Sequence, residues 1–265
     1  MKELTHYIII RFYDSDWGYY PKGTITDVEF LEKAKNMLVS NCFASLENQT
    51  NKNFEVIILM NNDLEDEHPI FNSLHSIESS FIVHVIKKKD LEKTLIHDDV
   101  KYFITSRTDL DDFAKSTAVE EIQKYAKGLN NIPYAVYGYG NGIAIIGKDI
   151  TTAQEYLPPY LDKGPMSIME SLIINTTIAK NITNIYKLGD HSRVKFALKN
   201  LYEKDNIPFI QNSYFVNTTR LSYLYIKTGS NISLLMGLNK KWGDDRYKVV
   251  KDKDWYKNNF GLVIK

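Results

Sequence analysis

The chain has 265 residues, of which 43% are hydrophobic and 25% charged, and its 33 basic residues balance its 33 acidic residues. This length accommodates one large α/β domain or two small ones, and the composition is ordinary for a globular protein. A net charge of zero argues against a nucleic-acid partner, because such proteins carry strongly basic surfaces.

The only cysteine, Cys42, excludes a disulfide within the chain and a metal site built from several cysteines. A lone cysteine in an apolar helical pattern is typical of a core residue in a protein from a reducing compartment. The apolar runs are too short to span a bilayer. We therefore expect a cytoplasmic protein without a transmembrane segment, for which peripheral contact with a membrane stays open.

Four apolar runs in the first part of the chain predict β-strands; they lie at residues 7–10, 54–60, 81–86 and 101–105. A helix is predicted after the first run, with Asp27 as its N-cap. Another helix is predicted within the polar region that follows the second run. Strands that alternate with helices predict a right-handed, doubly wound and mostly parallel sheet.

The second half of the chain has mixed patterns. Residues 133–138 and 142–146 predict an antiparallel hairpin around a Tyr-Gly-Asn turn. Apolar residues at helical spacing predict helices over 166–180 and 190–202, and residues 221–226 have the pattern of a strand. The absence of a linker, a low-complexity tract or a repeat favours a single domain over residues 1–265.

An acidic motif follows the fourth predicted strand, where Asp109 and Asp111 come directly after an apolar run. Ligands of open α/β sheets bind at this carboxyl edge. Two carboxylates at this spacing can reach one Mn²⁺ or Mg²⁺, a cation that often completes its shell with substrate phosphates. Two other Asp-x-Asp pairs, at 14–16 and 252–254, do not follow strands. The alternative is a capped helix start, with Asp109 or Asp111 as N-cap.

Three stretches carry a family resemblance: YIIIRF at 7–12, CFASLENQTNKNFEVIIL at 42–59 and ITSRTDLDD at 104–112. Together they resemble the opening strand, the Ser-Leu…Gln-Thr…Asn-Phe string and the ITTRLDNDD-type signature of the rhamnosyltransferase-like family of GT-A glycosyltransferases, which has bacterial and large-virus members. The resemblance covers roughly the first 125 residues, in the family's order and spacing. It departs from the signature at Ser106 and Thr108.

The resemblance implies a GT-A fold, in which helices flank a mostly parallel central sheet. It implies a nucleotide-sugar-binding half at 1–125 and an acceptor-binding half with a C-terminal extension at 126–265. The activity implied is metal-dependent transfer of a hexose or deoxyhexose from a UDP-, GDP- or dTDP-linked donor to a glycan or lipid-linked acceptor, as in polysaccharide biosynthesis. The implied cofactor is Mn²⁺ or Mg²⁺.

The resemblance also implies donor-binding residues at the tips of the first, second and fourth strands. Each has a simpler alternative. The Asn61–Asp63 segment is a good turn former, Arg107 could balance the charge of Asp109, and Arg11 could close a surface ion pair. The residues implied in donor binding are Arg11, Phe12, Asn61, Asp63, Arg107 and Asp109.

A late histidine often serves as a third metal ligand in GT-A enzymes, and His191 is the candidate because it follows an apolar stretch and precedes a predicted helix. An inverting enzyme needs a carboxylate to deprotonate the acceptor hydroxyl. Asp162 and Glu170 bracket a Gly-Pro loop in the region where such a base falls. Each of these three residues could instead be structural, the two carboxylates as caps of the predicted helix.

Two other functions stay open. A sugar nucleotidyltransferase would use a related sheet, but its N-terminal glycine-rich signature is absent after the first strand. A non-catalytic carbohydrate-binding or scaffold protein could use the same fold. The glycine-rich segment 137–142 lacks the Gly-Lys-Ser/Thr ending of a phosphate loop and predicts a β-turn. Its tyrosines, Tyr137 and Tyr139, would be free to stack on an acceptor sugar.

Overall fold

The computed structural model describes residues 1–12, 26–146, 149–156, 168–190, 193–218, 223–227, 249 and 251–263. The strands are β1 (Lys2–Phe12), β2 (Glu55–Met60), β3 (Ile82–Lys87), β4 (Val100–Asp109), β5 (Asp112–Ala114), β6 (Tyr134–Tyr139), β7 (Gly142–Ile146), β8 (Asp149–Tyr156), β9 (Glu170–Asn175), β10 (Tyr214–Asn217) and β11 (Tyr223–Lys227). The α-helices are α1 (Val28–Leu38), α2 (Ala44–Glu47), α3 (Pro69–His75), α4 (Leu91–Thr94), α5 (Ala118–Lys127), α6 (Val194–Lys204) and α7 (Lys253–Phe260).

The main sheet has seven strands in the order β10-β6-β9-β4-β1-β2-β3. In the described part of the chain, β9 runs antiparallel to its neighbours β4 and β6, and the other pairings are parallel. Helices α1, α3 and α5 contribute to the core on one face, and α6 contributes to the core on the other. The predicted fold class, an α/β protein with a mostly parallel central sheet flanked by helices, is confirmed.

The central part of β1 is apolar at consecutive positions because both faces of the strand are buried. Ile8 and Ile10 pack into the core on one face of the sheet, whereas Tyr7 and Ile9 pack into the core on the other. Both faces of this central parallel strand are covered, so consecutive apolar residues are buried on both sides. Helix α1 begins as predicted, because the Asp27 carboxylate accepts a hydrogen bond of 2.8 Å from the backbone N–H of Phe30.

The strand order reverses between β1 and β4. The chain continues from β1 to β2 and β3 on one side, whereas β4 lies on the other side of β1. The parallel register places Arg11 directly opposite Asp109 at the carboxyl ends of the two strands. Ligands of open α/β sheets bind in the crevice at such a reversal. The fold therefore carries the acidic motif to the edge where a ligand site is expected.

A second, four-stranded sheet has the order β5-β11-β7-β8 and its own apolar core with α7. Asp252 caps α7 by accepting from the backbone N–H of Trp255. The helix ends at Gly261, whose φ of 74° is in the left-handed region. A Cβ at this position would lie 2.4 Å from the carbonyl oxygen of Ala44, so the close approach of the two segments requires a glycine.

Two predicted elements of the second half are wrong. The predicted hairpin is absent, because β6 lies in the main sheet while β7 pairs with β8 and β11 in the other. Residues 170–175 form the strand β9 rather than part of a helix over 166–180. All six residues of β9 are buried, and so short a buried apolar run does not distinguish a strand from a helix by its periodicity.

Among the described residues, no helix combines the length and the apolar character needed to cross a membrane.

Candidate active site

An arginine and an aspartate meet where β1 and β4 end. The Nη2 atom of Arg11 lies 3.2 Å from Oδ1 of Asp109, and the two side chains are 19% and 37% exposed. The guanidinium also lies over the ring of Tyr186, 5.5 Å from its centroid. The pair is therefore at the surface of the crevice, where a ligand can reach both charges.

The acidic motif forms a tight turn from β4 into β5. The backbone N–H of Asp109 donates to Oδ2 of Asp112 at 3.3 Å, and the next α-helix, α5, begins only at Ala118. The helix-cap alternative for Asp109 and Asp111 is therefore wrong. Burial raises the pKa of Asp112 well above its usual value, and the charges of Asp111 and Asp109 raise it further.

The buried thiol of Cys42 lies within the electrostatic field of the same turn. Burial raises the pKa of Cys42 well above its usual value, and the charges of Asp112, Asp109 and Asp111 add to the effect. A neutral, buried thiol packs as a small apolar side chain, as predicted for Cys42. Three carboxyl groups, those of Asp109, Asp111 and Asp112, are therefore clustered near Cys42 at this end of β4.

A second ion pair lies in the sheet's interior beside the first. Arg107 is opposite Glu170 in the β4–β9 register; the guanidinium contacts the carboxylate, and the two side chains are 7% and 0% exposed. Among the described residues, no donor meets the hydrogen-bond geometry at either oxygen of the Glu170 carboxylate, so the contact with Arg107 is an ion pair. Burial raises the pKa of Glu170 to about 7; Arg107 opposes the rise and Asp190 adds to it.

Arg107 also holds the chain segment that follows a short 3₁₀ helix at Ile185–Leu188. Its Nη1 atom donates to the backbone carbonyl of Gly189. The structure thus brings the backbone up to Asp190 to the same edge as Asp109. His191 lies outside the described residues, as does Asp162, so their roles stay predictions.

The donor atoms at the turn suit a hard divalent cation. Asp109 and Asp111 supply carboxylate oxygens, and Mn²⁺ and Mg²⁺ are commonly held by one or two carboxylates together with substrate phosphates. Within the described ranges, no group of three or more His, Cys, Asp and Glu side chains is arranged to hold a metal ion. A site here would therefore depend on oxygens from the substrate or on residues outside those ranges.

The other predicted donor-binding residues have structural contacts. Phe12 is 1% exposed and packs in the core, so only its backbone is near the crevice. Asn61 is buried, and its Oδ1 accepts from the N–H of Asp63 at 3.1 Å, which forms the turn after β2. Asp63 is exposed at that turn. A contact of these three residues with a nucleotide stays a prediction.

The tyrosines of the glycine-rich segment are not free to stack on a sugar. Tyr137 and Tyr139 are 3% and 0% exposed. Their hydroxyls lie 3.4 and 3.1 Å from Oε2 of Glu121, to which they donate. The stacking prediction is wrong because β6 is a central strand with both faces covered.

A hydrogen-bonded network of buried polar side chains, which was not predicted from the sequence, lies beside the ion pair. Gln123 Nε2 donates to His6 Nδ1 at 3.4 Å, so His6 Nε2 carries the proton and donates to Ser106 Oγ at 2.7 Å. Ser106 Oγ lies 2.5 Å from Ser171 Oγ. Burial lowers the pKa of His6 to about 3, so this network of polar side chains carries no charge. Polar residues at central positions of apolar strands were the available signal.

The chain matches no known protein-family profile and no curated protein sequence. Solved structures with a similar arrangement include TarS of S. aureus, with a TM-score of 0.44 and 12% identity, over 88% of this chain and 38% of TarS. The TarS fragment 1–349 in complex with UDP has a TM-score of 0.45 and 12% identity, over 84% of this chain and 60% of the fragment. Mouse xyloside xylosyltransferase 1 has a TM-score of 0.37 and 8% identity, over 84% and 97% of the two chains. The chain thus spans well under half of TarS, and TM-scores below 0.5 do not assign it to a family.

Proposed function

We propose that the chain is a metal-dependent glycosyltransferase of the GT-A type, which moves a sugar from a nucleoside-diphosphate donor to a glycan or lipid-linked acceptor. The observation that carries the proposal is the Arg11–Asp109 pair at the reversal of strand order. It presents a cation and a carboxylate, partly exposed, at the edge where α/β sheets bind ligands. A diphosphate with a divalent cation is complementary to this combination.

Arg11 is the proposed contact to the diphosphate, since a guanidinium binds phosphate oxygens with two parallel hydrogen bonds. Asp109 and Asp111 are the proposed holders of Mn²⁺ or Mg²⁺. A divalent cation supplies Lewis-acid stabilisation of the charge on a leaving diphosphate. The charges of Asp111 and Asp109 raise the pKa of Asp112, and a divalent cation at the turn would offset these charges.

Arg107 and Glu170 are proposed as positioning residues rather than as ligands. Glu170 has no exposed surface and its carboxylate contacts Arg107, which leaves it without access to an acceptor hydroxyl. Arg107 in turn fixes the backbone at Gly189, next to the segment that carries His191. Asp162 is therefore our proposed base, and His191 our proposed third metal ligand. The donor sugar in this proposal is a hexose or deoxyhexose, as in the rhamnosyltransferase-like family.

The proposal is tested by isothermal titration of the full chain with UDP, GDP and dTDP, each with and without Mn²⁺. We expect one nucleotide to bind with an affinity that Mn²⁺ increases. Asp109→Ala and Asp111→Ala should each weaken the Mn²⁺-dependent binding roughly 10- to 100-fold, the cost of losing an interaction with a charged group. Asp254→Ala is the matched control, since this exposed aspartate belongs to another Asp-x-Asp pair.

Nucleotide hydrolysis assays with a panel of sugar nucleotides separate an enzyme from a binding protein. We expect slow release of the nucleoside diphosphate from one donor, and its loss in Asp109→Ala. Wild-type chain that binds none of the nucleotides in any combination would overturn the proposal. Binding without any turnover would instead favour the carbohydrate-binding or scaffold alternative.

A further inference from the structure

A groove lies at the edge of the main sheet, away from the candidate active site. It has a volume of about 370 Å³ and lies between α5, α6 and the edge strand β10. Strand β10 is three strand spacings from β4, which is about 14 Å. The residues that line the groove are Tyr125, Lys195, Gln211, Asn212, Tyr214 and Phe215.

Three aromatic rings form a rigid platform on one side of the groove. The rings of Tyr125 and Phe215 are stacked, with centroids 5.2 Å apart and an interplanar angle of 28°. The buried ring of Tyr137 contacts both, with centroid distances of 5.3 Å to each. Phe215 is nevertheless 42% exposed. An exposed ring that is already held by its neighbours loses little freedom when a ligand packs on it.

The opposite side of the groove is polar. Lys195 Nζ lies 5.2 Å from the centroid of the Tyr214 ring, and no described carboxylate lies within ion-pair distance of this ammonium group. The amide side chains of Gln211 and Asn212 are exposed at the rim. The hydroxyl of Tyr125 donates to the backbone carbonyl of Asn212 at 2.8 Å, which fixes the rim to the platform.

This combination matches the chemistry of a sugar ring. The C–H groups of a pyranose face carry partial positive charge and pack on the negative face of an aromatic ring. Its hydroxyls point outward, where amides can donate and accept hydrogen bonds. Ligand pockets of about 300–1,000 Å³ are typical of small-molecule sites, and this groove is at the small end of that range.

We propose that the groove binds one pyranose unit of a glycan, at a site separate from the nucleotide-sugar site. Phe215 and Tyr125 supply the stacking surface, and Gln211 and Asn212 supply hydrogen bonds to hydroxyls. Lys195 favours a unit that carries a carboxylate. The groove would hold a glycan on the protein without contact to the reacting groups.

The test uses saturation-transfer difference NMR on the full chain with methyl glucoside, methyl mannoside and methyl glucuronide, and with glucose and mannose trisaccharides. We expect ring-proton saturation for at least one of these saccharides, strongest on one face of the sugar. Phe215→Ala should weaken that binding roughly fivefold to tenfold, while Phe215→Tyr, which keeps the ring, should retain it. Lys195→Ala should weaken binding of the glucuronide more than that of the glucoside.

Phe196→Ala is the matched control, because Phe196 is 68% exposed in the first turn of α6 and does not line the groove. It should leave saccharide binding unchanged. No signal with any of the saccharides, or equal loss in the Phe196 and Phe215 variants, would overturn the proposal. Full retention of binding in Phe215→Ala would overturn it as well.

The outcome is independent of the proposed glycosyltransferase activity. Phe215→Ala should bind UDP, GDP or dTDP as the wild-type chain does, whereas Asp109→Ala should weaken Mn²⁺-dependent nucleotide binding and keep the saccharide signal. A chain that binds no nucleotide but gives a ring-dependent saccharide signal would refute the activity and support the groove.

Discussion

Two arginine–carboxylate pairs lie side by side on one face of the main sheet and differ in their burial. Arg11 pairs with Asp109 across β1 and β4, and Arg107, two residues before Asp109, pairs with Glu170 across β4 and β9. The side chains of the first pair are 19% and 37% exposed, and those of the second are 7% and 0% exposed. The same chemical groups therefore meet in two different dielectric environments.

This difference assigns different tasks to the two arginines. A partly exposed ion pair contributes about 0–1 kcal/mol, so Arg11 can exchange Asp109 for a ligand phosphate at little cost. Arg107 cannot exchange Glu170 for a ligand, because movement of the guanidinium away from Glu170 would leave this carboxylate buried without a counterion. The exposed pair is suited to binding, and the buried pair is suited to holding β4, β9 and the Gly189 backbone in fixed positions.

The largest effect is expected for Arg107→Met. This change leaves a buried carboxylate without its counterion, and such changes cost about 3–5 kcal/mol. The free energy of unfolding, measured by urea denaturation at pH 8, should fall by this amount. The loss should be smaller at pH 5, where Glu170 in the variant is protonated.

The double variant Arg107→Met/Glu170→Leu separates stability from positioning. Replacement of a buried ion pair by apolar side chains is often neutral or stabilising, so this variant should regain most of the lost stability. The double variant should nevertheless bind the nucleotide more weakly than the wild-type chain, since nothing replaces the hydrogen bond from Arg107 to Gly189. A loss below about 1 kcal/mol in Arg107→Met would contradict the contrast between the two pairs.

The next effect concerns pH. Burial raises the pKa of Glu170 from its ordinary 4.5 to about 7, against the opposing charge of Arg107 and with a contribution from Asp190. Between these two values the folded chain binds more protons at Glu170 than the unfolded chain does. The stability contributed by this group is therefore fully present below pH 4.5 and is lost as the pH rises through 7. The loss amounts to at most about 3 kcal/mol.

Urea denaturation at a series of pH values between 4.5 and 8 checks this effect. Glu170→Gln carries no titrating group at this position, so its unfolding free energy should lack the decline that the wild-type chain shows. The pH dependence of the unfolding free energy is compared, and not its absolute value, because the glutamine also leaves Arg107 without an anion at every pH. Parallel curves for the two proteins would show that Glu170 stays ionised in the folded chain throughout.

The exposed pair could be anticipated from the sequence, because its parts are local. Each of the first four strands contains an apolar run, and such runs predict the strands of a parallel sheet. Once β1 and β4 are neighbours in one sheet, their carboxyl ends carry Arg11 and Asp109 to the same edge. Strand alternation then places both side chains on one face.

The buried pair could not be anticipated, because its second member belongs to a strand that the sequence does not distinguish from a helix. Glu170 opens a six-residue buried run, and only tertiary pairing with β4 and β6 makes it a strand. The register that sets Arg107 opposite Glu170 depends on contacts across 63 residues of chain. Likewise, nothing local reveals that β6 and β7 belong to different sheets.

The smallest effect on stability, and the sharpest test of the comparison, is expected for Arg11→Ala. The change removes a partly exposed ion pair and a cation–π contact with Tyr186, so the unfolding free energy should fall by only about 1 kcal/mol. Nucleotide affinity should fall roughly 10- to 100-fold, since the lost group would bind a phosphate in the complex. Arg11→Lys keeps the positive charge but cannot form two parallel hydrogen bonds to a phosphate. Its nucleotide affinity should lie between that of the wild-type chain and that of Arg11→Ala. If Arg11→Ala instead destabilised the fold as strongly as Arg107→Met and left nucleotide affinity unchanged, the exposed pair would be a structural contact like the buried one.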